Sequence, residues 1–180
     1  MVIVPNSRRR LYDLVGECVF FIGNKVIERV DSFVHLGHVL SSTLNDNEDI
    51  ERQLRAVFMS QANNVLCYFN KLDSFVRYSL FRSYCTSLYG CELWSLSNSS
   101  LESLCIAWRK SLRVIWRLPQ QSHGYLLPLI SQSLPMYDEI CRRFLNFARA
   151  CINHDSPLVR FIALHGIHHG KTSSFLGHNV

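Results

Sequence analysis

Leu101-Glu102-Ser103-Leu104-Cys105-Ile106-Ala107-Trp108-Arg109-Lys110-Ser111-Leu112-Arg113-Val114-Ile115-Trp116-Arg117 is the stretch that decides the fold class. At about 100° per residue, Leu101, Leu104, Cys105, Trp108, Leu112 and Ile115 gather on one helical face. Ser99-Ser100-Leu101-Glu102 fits a capping box at the start, and Pro119 forces a stop after Arg117. Arg109, Arg113 and Arg117, at i, i+4 and i+8, form a stripe roughly opposite the apolar face, with Lys110 beside it. No acidic residue is expected to neutralise that stripe from its own helix. Four cations along about 12 Å of helix could track a phosphate backbone. A solvated face of an amphipathic helix fits the same pattern equally well.

The flanking segments repeat the helical period. Upstream, Asn45-Asp46-Asn47 offers capping oxygens, and Glu48, Asp49 and Glu51 suit the positive end of a helix dipole. Ile50, Leu54, Val57, Phe58, Val65, Leu66 and Phe69 then predict one helix of about 20 residues. Asp73 caps a second helix whose inward side chains are expected to include Val76, Leu80, Tyr84 and Leu88, with Gly90 near its end. Downstream, a short helix is expected around His123–Ile130. Pro135 and Pro157 stand at the starts of helices over Met136–Asn153 and Leu158–Leu164. The final residues, 166–180, rich in Gly, His and Ser, are expected to be a disordered tail.

The first 44 residues read differently, with a period of two. Met1–Val4 and Cys18–Ile22 are short runs of strand-forming residues, and Gly23-Asn24 suits a hairpin turn into Lys25-Val26-Ile27. Ser32 to Leu40 reads as another hairpin or a bent strand, with Gly37 at the bend. Together these predict a small β-meander, too small to stand alone.

Composition limits the chemistry. The chain has 180 residues, 48% of them hydrophobic, which excludes a disordered chain and permits a sizeable core. Residues 1–100 balance 10 basic against 10 acidic side chains, whereas residues 101–180 hold 9 basic against 4 acidic. The whole net charge of +5 therefore lies in the second part, and 15 of the 19 basic residues are arginine. That pattern points to an anionic partner, nucleic acid being the commonest. The seven cysteines include no Cys-x-x-Cys pair and sit among apolar neighbours, so they read as reduced core filler rather than disulfides or a zinc site.

No Gly-x-Gly-x-x-Gly, phosphate-binding loop or Gly-x-Ser-x-Gly occurs. The seven aspartates are never adjacent, so no converging pair is visible for two-metal catalysis. No metal and no cofactor are expected. His165, His168 and His169 lie beside glycines, where a polar tail explains them better than zinc. His35 and His38 flank Gly37 and read as partly exposed strand histidines. The apolar runs fall far short of the 18 or more residues that span a bilayer. The start places its apolar run before Arg8-Arg9-Arg10, the reverse of a signal peptide. An intracellular location, nuclear or cytoplasmic, is the expectation, with no membrane partner.

Three segments resemble a known family. Val30-x-x-Phe33-Val34-His35-Leu36-Gly37-His38-Val39-Leu40, followed by Asp49-Ile50 and a long helix, is similar to the palm edge and thumb start of LINE-type (non-LTR) retrotransposon reverse transcriptases. Leu80-Phe81-Arg82-Ser83-Tyr84 through Tyr89-Gly90-Cys91-Glu92-Leu93-Trp94 resembles their thumb signature. Ala107-Trp108-Arg109-Lys110 to Arg113-Val114-Ile115-Trp116-Arg117-Leu118-Pro119 resembles the arginine-rich helix that follows. The resemblance covers residues 1 to about 165. It implies a primer-grip role for His35, Leu36 and Gly37, and a duplex-facing role for Arg109, Lys110, Arg113 and Arg117.

The family's Ala-Asp-Asp catalytic motif, fingers and endonuclease have no counterpart in this sequence. The resemblance therefore implies a C-terminal fragment of an RNA-directed DNA polymerase, inactive alone, whose partners are an RNA–DNA or DNA duplex backbone and the parent's missing palm and fingers. A helical protein-interaction module without a nucleic-acid role is the competing expectation. The fold expected is mainly α: a β-meander over 1–44 resembling the palm edge, a helical thumb-like bundle over 45–165, and the tail.

Overall fold

The structure, a computed structural model, describes residues 20–28, 30–42, 45–169 and 175–179. It is mainly α with small β-hairpins near the start, and the chain divides into two units between Asp49 and Ile50. The expected strand Met1–Val4 and the Arg8–Arg10 cluster lie outside the described residues.

In the first unit, strands β1 (Phe20–Ile22) and β2 (Lys25–Ile27) pair antiparallel across Gly23, whose φ of +59° supplies the left-handed turn. Strands β3 (Ser32–His35) and β4 (His38–Ser41) pair in the register Phe33 with Leu40 and His35 with His38. Both turn residues, Leu36 (φ +48°) and Gly37 (φ +87°), are left-handed, as a two-residue hairpin turn of matching twist requires. The small N-terminal β region is present as expected, and among the described residues its hairpins form two two-stranded sheets. The Ser42 amide bonds the Asp31 carbonyl at 2.8 Å, which prolongs the second hairpin instead of joining it to β2. Phe21, Ile22, Val26 and Leu36 are all exposed. Exposed apolar side chains, with Phe21 and Val26 as cross-strand neighbours, favour self-association, so light scattering should show oligomers forming as concentration rises. Monomers at high concentration would contradict this.

The second unit is helical. Helix α1 (Asn47–Arg52) begins before the division and leads into a π-helical segment, Gln53–Met59, and then helix α2 (Ser60–Tyr68). The single 20-residue helix read from the sequence is thus interrupted by wider turns. Ile50, Phe58 and Val65 of the expected stripe are buried, with Ala62 joining them, but Phe69 is exposed. Gln53, a polar residue, is buried, and its Nε2 donates to the Tyr89 carbonyl at 3.3 Å.

Helix α3 (Ser74–Cys85) starts at Asp73, whose carboxylate accepts the Phe75 N–H at 2.8 Å. Its inward face is Arg77, Phe81 and Cys85, so the expected Val76 and Tyr84 are corrected to exposed positions. A short 3₁₀ turn, Cys91–Leu93, follows the left-handed Gly90 (φ +82°), with Leu88, Cys91 and Trp94 fully packed around it.

Helix α4 (Ser100–Ile115) buries all six of the apolar residues read from its period. The capping box is not formed: the Asn98 side chain accepts the Ser100 N–H at 2.9 Å, and Glu102 is used elsewhere. Helix α5 (Leu126–Ser131) ends at the left-handed Gln132, and helix α6 (Met136–Ile152) follows directly after Pro135. Helix α7 (Pro157–His169) runs well beyond the expected Leu164, and helix α8 (Phe175–Asn179) lies where a disordered tail was expected. Leu176 joins Phe144, Ala148 and Ala163 in a second apolar cluster. The Asn179 amide accepts the Leu96 N–H at 2.8 Å and donates to the Trp94 carbonyl at 2.9 Å. Those contacts offset the ordering entropy that composition alone would not.

Candidate nucleic-acid interface

The expected four-cation stripe divides at the helix end. Leu118 N–H reaches the Arg113 carbonyl at 2.8 Å, and Arg117 takes a left-handed φ of +53°. This six-to-one bond closes the helix before Pro119, so Arg117 leaves the helical track. Arg109 turns toward Glu102, two turns back, and its Nη2 meets Oε1 at 2.5 Å. The expectation of no acid on the same helix is therefore corrected, because two long side chains bridge an i, i+7 spacing. Arg113 donates Nε at 3.2 Å and Nη2 at 2.9 Å to the Ser122 carbonyl, pinning the loop that follows the helix. Lys110 and Arg117 are exposed.

Sequence reasoning missed the cation behind Arg117. Arg77 is 3% exposed, and its Nη1 points to the Ile115 carbonyl at 3.4 Å. Its Nε has no hydrogen-bond partner among the described residues. Burial, and then the nearby charge of Arg117, hold its pKa below the ordinary arginine value. The guanidinium sits at the carbonyl end of α4, where the helix dipole is negative and favours a cation. No carboxylate accompanies it among the described residues, so α4 ends in a positive cluster of Arg77 and Arg117. A charged residue on the buried face of α3 has no hydropathy signature.

The hairpin residues fall at one tip. Leu36, at 72% exposure, stands at the β3–β4 turn beside Gly37, and His35 is exposed with its ring stacked on Phe33 at 6.3 Å. A leucine with positive φ is uncommon, and such conformations concentrate at functional tips. His38 differs from its expected partly exposed state. It is buried, with Nδ1 2.8 Å from Asp49 Oδ2, while Asp49 Oδ1 accepts the Val39 N–H at 2.8 Å. Asp49 thus ties β4 directly beside the turn, at the His35–His38 end of the hairpin.

Among the described residues, no three His, Cys, Asp or Glu side chains converge as a metal site. His165 and His168, read as tail residues, lie on α7, with the His165 ring against Phe161. No described helix is long and apolar enough to cross a membrane. Comparison with known proteins found no matching family model, no matching curated protein and no matching solved structure.

Proposed function

We infer that the chain is a non-catalytic, C-terminal portion of a LINE-type reverse transcriptase whose helical unit contacts the backbone of a template–primer duplex. The observation that carries this reading is the positive end of α4, where exposed Arg117 stands in front of buried Arg77 and Lys110 lies one face of the helix back. Arg109 and Arg113 act as positioning side chains for Glu102 and Ser122 in this reading, which leaves two cations for phosphate rather than four. The hairpin tip of His35, Leu36 and Gly37 is the corresponding primer-side element. Its exposed apolar tip suits contact with sugar and base edges.

Two phosphate contacts give a log–log salt slope of about −1.8, or roughly 12-fold weaker binding between 50 and 200 mM salt. Backbone contacts do not read bases, so scrambling the duplex sequence should change nothing. Fluorescence anisotropy of a labelled RNA–DNA duplex measures both. The double variant Lys110→Gln, Arg117→Gln should lose about that slope, whereas Arg109→Gln should keep it. An unchanged slope in the double variant, with helicity intact, would overturn the assignment.

A protein-interaction role has one specific observation in its favour. An apolar cleft of ≈ 460 Å³ runs between α2, the π-helical segment and α4, lined by Leu54, Met59, Leu66, Ile106 and Val114. Ile106 and Val114 on its wall are exposed. Failure of duplex binding altogether would leave this cleft as the better starting point.

A further inference from the structure

A second cleft, of ≈ 430 Å³, lies where α3, the α5–α6 connection and the start of α6 meet. Its lining includes Arg82, Arg142 and Arg143 against a single carboxylate, Glu139, an excess of two positive charges. Arg143 is committed to the fold: it donates to the Ser87 carbonyl at 2.6 Å, the Thr86 carbonyl at 2.8 Å and Glu139 at 3.0 Å. Arg142 spends only Nη2 on Glu139, at 2.7 Å, and remains 56% exposed. Arg82 is exposed and has no side-chain hydrogen bond or ion pair among the described residues.

One polar group in this wall has no partner. Ser133 follows the left-handed Gln132 (φ +48°), and its Oγ is buried with no hydrogen bond to the protein. A buried hydroxyl left unpaired costs about 1–3 kcal/mol, so a fold that keeps one gains from a ligand that bonds it. Tyr78 adds an aromatic wall to the same cleft.

We propose that this cleft binds a small phosphomonoester, with the phosphate held by Arg82, Arg142 and, once a χ1 rotation turns its buried Oγ into the cleft, Ser133, and a planar body resting toward Tyr78. A phosphate dianion matches the two-charge excess, and planar guanidinium forks match its oxygens. The volume falls in the ordinary range for small-ligand sites of about 300–1,000 Å³. A duplex backbone is convex and fits the α4 end better than this recess. The site shares no cation with that surface and stands independently of the duplex reading.

Isothermal titration calorimetry at low salt on the full chain, with AMP, inorganic phosphate and adenosine as separate probes, tests the assignment. AMP should bind, inorganic phosphate should bind more weakly and compete with it, and adenosine should not bind. The double variant Arg82→Gln, Arg142→Gln should weaken AMP binding by at least ten-fold, since charge-assisted bonds are lost. Ser133→Ala is the second arm. It should weaken binding several-fold while the unliganded protein melts no lower than wild type, because an unpaired buried hydroxyl contributes nothing to stability. A purely structural serine would lower the melting temperature and leave binding alone. The proposal is overturned if neither AMP nor phosphate binds, if adenosine binds as well as AMP, or if both variants bind as wild type does.

Discussion

Arg143→Leu is expected to lower stability by about 3 kcal/mol, because it strips two backbone carbonyls of their donor and removes one of the two cations that hold Glu139. The side chain spans from α6 to the loop after α3, holding the Thr86 and Ser87 carbonyls while Glu139 neutralises it at 3.0 Å. That loop leads into the packed Leu88–Trp94 segment, so losing the clamp loosens the largest buried side chain, Trp94. In thermal unfolding the change should appear as a drop of roughly 6–12 °C for a chain of this size. A shift under about 2 °C would show that the clamp is solvated rather than structural.

The same clamp gives a pH dependence with a defined sign. Burial alone would raise the Glu139 pKa, but hydrogen bonds and charge from Arg142 and Arg143 outweigh it and hold the carboxyl below its ordinary 4.5. A depressed carboxyl contributes stability that is fully present above its unfolded value and is lost as pH falls through its folded value. The window therefore opens below about pH 5. Glu139→Gln should be less stable than wild type at neutral pH, and the two should converge as acid removes the contribution. Parallel acid limbs in the two proteins would refute the linkage.

How much of this was legible in the sequence depends on what kind of residue carried each feature. The α4 face was fully legible, since six apolar residues at a strict helical period have one way to face a core. The Gly23 hairpin turn was legible too, because positive φ is needed there, whereas Gly37 marked a bend without deciding between a hairpin and a bent strand. Illegible were the places where polar groups do apolar duty. Gln53 is buried because it reaches the Tyr89 carbonyl, and Arg77 because it meets the Ile115 carbonyl, yet both read as surface residues. Burying Arg77 rotated the expected inward face of α3, moving Val76 and Tyr84 outward. In the candidate interface the residue types were legible, but their engagement was not. Arg109 to Glu102 and Arg113 to Ser122 depend on rotamers and on a helix end, neither of which periodicity specifies.

The C-terminal helix offers the largest contrast between composition and contact. Residues rich in Gly, His and Ser suggest a tail whose substitution would cost under about 0.5 kcal/mol. Contacts suggest otherwise for Leu176→Ala combined with Asn179→Ala. Leu176 is 6% exposed in a cluster with Phe144, Ala148 and Ala163, and truncating a buried leucine costs about 2–5 kcal/mol. Asn179 bonds both the Leu96 N–H and the Trp94 carbonyl, and losing two part-buried hydrogen bonds costs about 1–3 kcal/mol more. The ordering entropy of a five-residue helix offsets part of this, so about 4 kcal/mol is expected for the pair. Urea denaturation of the full chain, followed by tryptophan fluorescence, measures it, and Trp94 reports from the docking site itself. A midpoint unchanged from wild type would mean that α8 contributes no stability where it rests, and that composition described those residues better than their contacts do.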